Sequence, residues 1–105
     1  MQAITSNKQF NDLVASGQPF VVDFYADWCG PCQALLPIMD KLSDEYKEDV
    51  TIVKANVDTQ RELAAKFKVR SIPAVFFIKG NKVKDSFLGM NSESAIKSKI
   101  KNLIK

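Results

Sequence analysis

Two cysteines stand in the run Trp28-Cys29-Gly30-Pro31-Cys32, and the chain has no histidine. Thiols at this spacing can exchange a disulfide with another molecule, form a structural bridge, or supply half of a metal site shared between chains. A structural zinc site within one chain is excluded: it takes about four Cys or His ligands, and two are present. The apolar run Phe20-Val21-Val22-Asp23-Phe24-Tyr25-Ala26 precedes the motif and Ala34-Leu35-Leu36 follows it. The β-branched and aromatic residues predict a strand and the later spacing predicts a helix, so the thiols sit where one hands over to the other. Pro31 suits the first helical turn, whose N–H groups are unpaired in any case. Cys29 then lies at or just before the helix N-terminus, with Cys32 one turn further in.

A thiol at a helix N-terminus faces free backbone N–H groups and the positive end of the helix dipole. Both favour the thiolate, which is the nucleophile. Position therefore assigns Cys29 as the attacking sulfur and Cys32 as the sulfur that resolves a mixed disulfide.

The chain's 105 residues, 46% hydrophobic and 26% charged, suit one globular domain spanning 1–105 with a single core. No stretch approaches the length of a membrane span. Met1-Gln2-Ala3-Ile4-Thr5-Ser6-Asn7-Lys8 lacks a basic start followed by an apolar segment, so no secretory signal is read and a cytoplasmic location is expected. Residues 1–78 hold eight basic and ten acidic groups, and residues 79–105 hold seven lysines against Asp85 and Glu93, a balance of −2 and +5. Without arginine and aromatic interleaving, these lysines predict a solvated helix face rather than a nucleic-acid surface.

The elements that must position the thiols follow in order. Ser6-Asn7-Lys8-Gln9 has the form of a capping box, and the helix after it presents Phe10, Leu13 and Val14 before Gly17 and Pro19. A short strand at Gln2–Ile4 can precede it. The helix from Pro31 to Tyr46 carries the stripe Leu35, Leu36, Ile38, Met39, Leu42 and Tyr46. Pro37 within it predicts a kink rather than a break, because the stripe continues. Val50–Val57 predicts the next strand, and Thr59-Gln60-Arg61-Glu62 a second capping box before a helix with Leu63, Ala64 and Phe67. Alternating strands and helices predict parallel neighbours with chemistry at their carboxyl ends. Ala74–Ile78 and Val83–Leu88, joined through Lys79-Gly80-Asn81-Lys82, predict an antiparallel hairpin. Ser92 then caps a closing helix with Ala95, Ile96, Ile100, Leu103 and Ile104 inward. The fold class is α/β, with a central mixed sheet of about five strands flanked by four helices.

Asp23 is the most informative residue after the thiols. Period-two alternation groups it with Val21 and Tyr25, a face that could meet water; apolar neighbours on both faces argue instead for a covered central strand. A buried, unpaired carboxyl resists ionisation, which raises its pKa to where it can exchange a proton near neutrality. It could then take the proton of Cys32, through a water, during resolution. Lys54 interrupts the next strand and offers an opposite charge, although a lysine emerging at a strand edge accounts for it equally. Ile72-Pro73 opens a hairpin strand, where physics alone favours the trans bond. Trp28 fits core and surface equally.

Trp28-Cys29-Gly30-Pro31-Cys32, with Asp23, Pro37, Lys54, Pro73 and Gly89 in this order, resembles the thioredoxin family over essentially the whole chain. The resemblance implies a thioredoxin fold, a cis Ile72–Pro73 bond facing the disulfide, and an Ile72 backbone able to pair with an extended substrate. It implies a shallow docking surface of Trp28, Gly30, Pro31, Ile72, Pro73, Gly89 and Met90, with Cys29, Cys32, Asp23 and Lys54 as the catalytic set. The implied activity is protein-disulfide reduction, serving electron transport and cell redox homeostasis, with re-reduction by thioredoxin reductase and no bound cofactor or metal. Implied substrates include peroxiredoxin, ribonucleotide reductase and methionine sulfoxide reductase, met by a monomer that binds neither nucleic acid nor membrane. Tyr25, Gln33, Ser71 and Ala74 depart from frequent family choices of Trp, Lys, Gly and Thr. Gln33 removes one positive charge near the thiolate, and Ser71 and Ala74 bear on partner preference.

Two other functions compete: a non-catalytic assembly or processivity subunit using the same docking surface, and a more oxidising, isomerase-like member. Gly30-Pro31 between the thiols, with no histidine to stabilise the Cys29 thiolate, argues for reduction. A dedicated thiol donor to one pathway is indistinguishable from a general reductant at this level.

Overall fold

The computed structural model describes every residue from Met1 to Lys105. Strands β1 (Gln2–Ala3), β2 (Pro19–Tyr25), β3 (Thr51–Asn56), β4 (Ala74–Lys79) and β5 (Lys82–Leu88) form one sheet in the order β1-β3-β2-β4-β5. The β1–β3 and β2–β3 pairs are parallel, and the β2–β4 and β4–β5 pairs antiparallel, so the sheet is mixed as the sequence predicts. β2, the strand that delivers the cysteines, is central. Helices α1 (Asn7–Ser16), α2 (Gly30–Glu45), α3 (Arg61–Lys66) and α4 (Glu93–Leu103) cover the two faces. None is long and apolar enough to cross a membrane.

Alternation along β2 divides the interior into two cores. Phe20, Val22 and Phe24 join Phe10, Leu63 and Ala64 on the α1 and α3 side, while Val21 joins Leu35, Met39, Leu42, Ile96 and Ile100 on the α2 and α4 side. Asp23 shares the face of Val21. Helix α2 runs unbroken through Pro37; of its stripe, Leu35, Met39 and Leu42 are buried and Ile38 and Tyr46 flank the core. Leu36 lies outside that cluster, half-buried.

Local signals set most helix ends. The Ser6 hydroxyl accepts from the Gln9 N–H at 3.3 Å, and the Ser92 hydroxyl from the Ala95 N–H at 3.1 Å. The return bond of the first box differs from expectation: Gln9 Oε1 accepts from the Thr5 N–H at 2.6 Å rather than from Ser6. The second box does not form. The residue preceding α3 is Gln60, which makes no side-chain cap, and the Thr59 hydroxyl donates instead to the Asn56 carbonyl at 3.4 Å. Asn56 Oδ1 takes the Asp58 N–H at 2.8 Å, so a turn anchored on Asn56 occupies the groups a cap would use.

The hairpin turn is Gly80-Asn81, with Gly80 at φ +65°, between the paired Lys79 and Lys82. A bulge interrupts the pairing of β5 between Phe77 and Ile78, leaving exposed Lys84 without an opposite residue. β5 is an outer strand of the sheet, and the other outer strand, β1, has two residues.

Candidate active site

Strand β2 ends at Tyr25 and α2 begins at Gly30, with Cys29 as its N-cap and Pro31 in its first turn. The cysteines are disulfide-bonded, with Cα atoms 5.2 Å apart. Cys29 Sγ accepts from the Cys32 N–H at 3.2 Å, one of the unpaired donors of the first turn. The two sulfur-bearing residues differ in access: Cys29 is 6% exposed and Cys32 is completely buried. Ala26 completes their apolar cluster, with Tyr25, Val57 and Ile72 packed against it.

The loop before β4 closes over the disulfide. The Ile72–Pro73 bond is cis, against the trans default of the chain alone and in line with the resemblance. Cys29 Sγ lies 3.9 Å from the Ile72 carbonyl oxygen. The Gly89 N–H donates to the Pro73 carbonyl at 2.8 Å, which brings the end of β5 beside the cis peptide, and Gly89 takes φ +75°. Met90 follows, half exposed. Trp28 is 72% exposed, and its indole N–H donates to Asp58 Oδ2 at 2.9 Å, tying the loop after β2 to the loop after β3. Ile72, Pro73 and Gly89 are thus gathered around Cys29, with Trp28, Gly30 and Pro31 flanking it in the chain.

Asp23 is completely buried, and neither carboxylate oxygen has a hydrogen-bond partner in the protein. Burial pushes its pKa from 3.8 to about 7, and the positive charge of Lys54 opposes the rise. Lys54 stands directly opposite Asp23 in the β2–β3 register. It makes no ion pair with that carboxylate, and its ammonium sits 5.5 Å from the Tyr25 ring centroid. Lys54 therefore acts on Asp23 through space.

Three participants escape the sequence. Asp58 anchors the Trp28 indole; its signal was the Asn56-Val57-Asp58 turn at a strand's carboxyl end. Leu88 is a large apolar side chain exposed beside Gly89 and opposite Ala74. Gln33 donates its amide to the Ala26 carbonyl at 3.2 Å and braces the strand-to-helix turn; no local pattern marked that bond.

A family model described as Thioredoxin matches residues 1–102. The thioredoxin of Mycoplasmoides gallisepticum is 37% identical over 96% of this chain and 100% of its own length. Thioredoxin-T of Drosophila melanogaster is 41% identical over 81% of this chain, and the match spans about half, 54%, of that relative. The solved thioredoxin of Malassezia sympodialis superposes with a TM-score of 0.92 at 30% identity, covering 100% of this chain and 91% of that one. An exchangeable cysteine pair at a strand-to-helix turn, on this fold and with these relatives, leaves one conclusion: the chain belongs to the thioredoxin family and is a thiol-disulfide oxidoreductase.

Proposed function

We propose that this chain, acting as one domain, reduces disulfides in other proteins, with Cys29 attacking and Cys32 resolving. The observation that carries the assignment is the asymmetry of the pair: Cys29 caps a helix and keeps a 6% exposed margin, while Cys32, inside the first turn, has none. The Cys29 thiolate attacks one sulfur of the target disulfide, forms a mixed disulfide and expels the other target sulfur as a thiolate. Cys32 loses its proton through a water to the Asp23 carboxylate and attacks Cys29 Sγ. The second target thiol leaves, and the Cys29–Cys32 disulfide forms. Lys54 keeps Asp23 partly ionised near neutrality. Two electrons from a thioredoxin reductase return both thiols.

Trp28, Gly30, Pro31, Ile72, Pro73, Gly89 and Met90 form the docking surface, on which the Ile72 backbone pairs with an extended substrate. Peroxiredoxin, ribonucleotide reductase and methionine sulfoxide reductase are the substrate kinds the reading implies, for a cytoplasmic monomer carrying electrons in redox homeostasis. An assembly subunit indifferent to its thiols is not favoured, because the cap on Cys29 and the buried carboxyl of Asp23 serve sulfur chemistry.

The test has two parts. Cys32→Ser should accumulate a Cys29 mixed disulfide with a protein substrate, and Cys29→Ser should form none; the reverse pattern would overturn the assignment. Equilibrated with glutathione, the parent pair should prove more reducing than the glutathione couple. A more oxidising value would make the chain an isomerase or oxidase.

A further inference from the structure

On the α1 and α3 side of the sheet, β5 leaves Val83 half exposed. A cavity of about 340 Å³ opens there, walled by Phe67, Phe76, Ile78 and Val83. Ile78 and Val83 are register partners of the hairpin, and Val83 is 51% exposed although it continues the apolar face of a buried neighbour. Phe67 and Phe76 pack with their centroids 4.9 Å apart and their planes tilted by 56°, giving the cavity an aromatic wall. Its size falls in the range of small-molecule sites, which pair an apolar lining with a few placed polar groups.

Here those polar groups are positive. Lys66 and Lys68 line the cavity, no carboxylate does, and neither lysine belongs to any ion pair of the molecule. The Lys66 ammonium is held 5.0 Å from the centroid of the Phe10 ring, another lining residue. Glu62, one turn before Lys66, is engaged by the Asn7 amide. Lys68 sits at φ +55°, in the left-handed conformation just past α3 where a helix ends most cheaply on glycine. A lysine in that position places a second ammonium at the same cavity in spite of its backbone.

We propose that this cavity binds a small amphipathic carboxylate, its aromatic or short aliphatic body against Phe67, Phe76, Ile78 and Val83 and its carboxylate between Lys66 and Lys68. Two cations without ion-pair partners at an apolar cavity without a carboxylate match one negative charge on an apolar body, and a neutral ligand would leave both without a counter-charge. The cavity shares no lining residue with the docking surface.

Phenylbutyrate is a suitable probe and phenylbutanol its uncharged counterpart. Titration of the isotope-labelled oxidised protein should give saturable amide shifts at Lys66–Val69 and Asn81–Val83, with the alcohol binding about tenfold more weakly. Lys66→Gln with Lys68→Gln should erase that preference while disulfide reduction stays at the parent rate, which reports an intact fold. Val83→Asp should abolish binding of the acid. Shifts that fail to saturate, that centre on Trp28 and Met90, or that are equal for acid and alcohol would each overturn the proposal.

Discussion

Asp23 carries the sharpest consequences at the scale of a residue. Its carboxyl is buried without a hydrogen-bond partner, and its pKa stands at about 7 rather than 3.8. General-base assistance is worth about a hundredfold or more, so Asp23→Asn should slow resolution by roughly that factor while leaving the first attack near the parent rate. Stopped-flow trapping of the mixed disulfide separates the two steps, and an Asp23→Asn variant whose resolution rate keeps the parent's rise with pH through neutrality would remove Asp23 from the mechanism. The same shift bears on stability. The native carboxyl holds its proton to about pH 7, whereas the unfolded chain releases it near 3.8. Between those values the native state binds more protons, so this group favours folding fully in acid and loses that contribution as pH rises through the window. At about 1.4 kcal/mol per pH unit the loss totals about 4 kcal/mol. Denaturant titrations of parent and Asp23→Asn at pH 4 and pH 8 should show the parent losing more stability with pH than the variant.

At the scale of elements, local chemistry was legible and side-chain encounters were not. The Ser6 and Ser92 caps could be read because a hydroxyl and an N–H three residues on need no help from the rest of the fold. Ser92→Ala should accordingly cost about 1 kcal/mol, measured by chemical denaturation, with the cysteine chemistry intact. The strand before Cys29, the helix after it and the hairpin were equally plain from their periodicities, and burial of Asp23 followed from apolar neighbours on both faces. The start of α3 was not plain, since Thr59 and Asn56 had competing uses for their side chains. Nor was the placement of Lys54 over Tyr25, or of Asp58 under Trp28, because each depends on which strands lie side by side. The cis Ile72–Pro73 bond came from the family likeness alone. The cavity beside β5 had no signature, because Val83 reads like any strand residue until the extent of the neighbouring helices is known.

At the scale of the whole molecule, charge and edges matter most. The lysine-rich end reads in sequence as a solvated face, and the structure refines this: Lys97 reaches Glu45 on α2 and Lys99 reaches Asp85 on β5, each at 3.0 Å, so two of those lysines tie α4 to its neighbours. An open sheet presents its outer strands to other copies of itself. β1 is too short to template much, which leaves β5, where Lys82 and the bulged Lys84 stand exposed. Replacing both, Lys82→Thr with Lys84→Thr, should make concentrated protein scatter light and bind amyloid dyes within days, while the parent stays clear; a variant as clear as the parent would put the protection elsewhere. Two positive charges on one strand thus bear on something remote from sulfur: how densely the molecule can be crowded before it begins to polymerise.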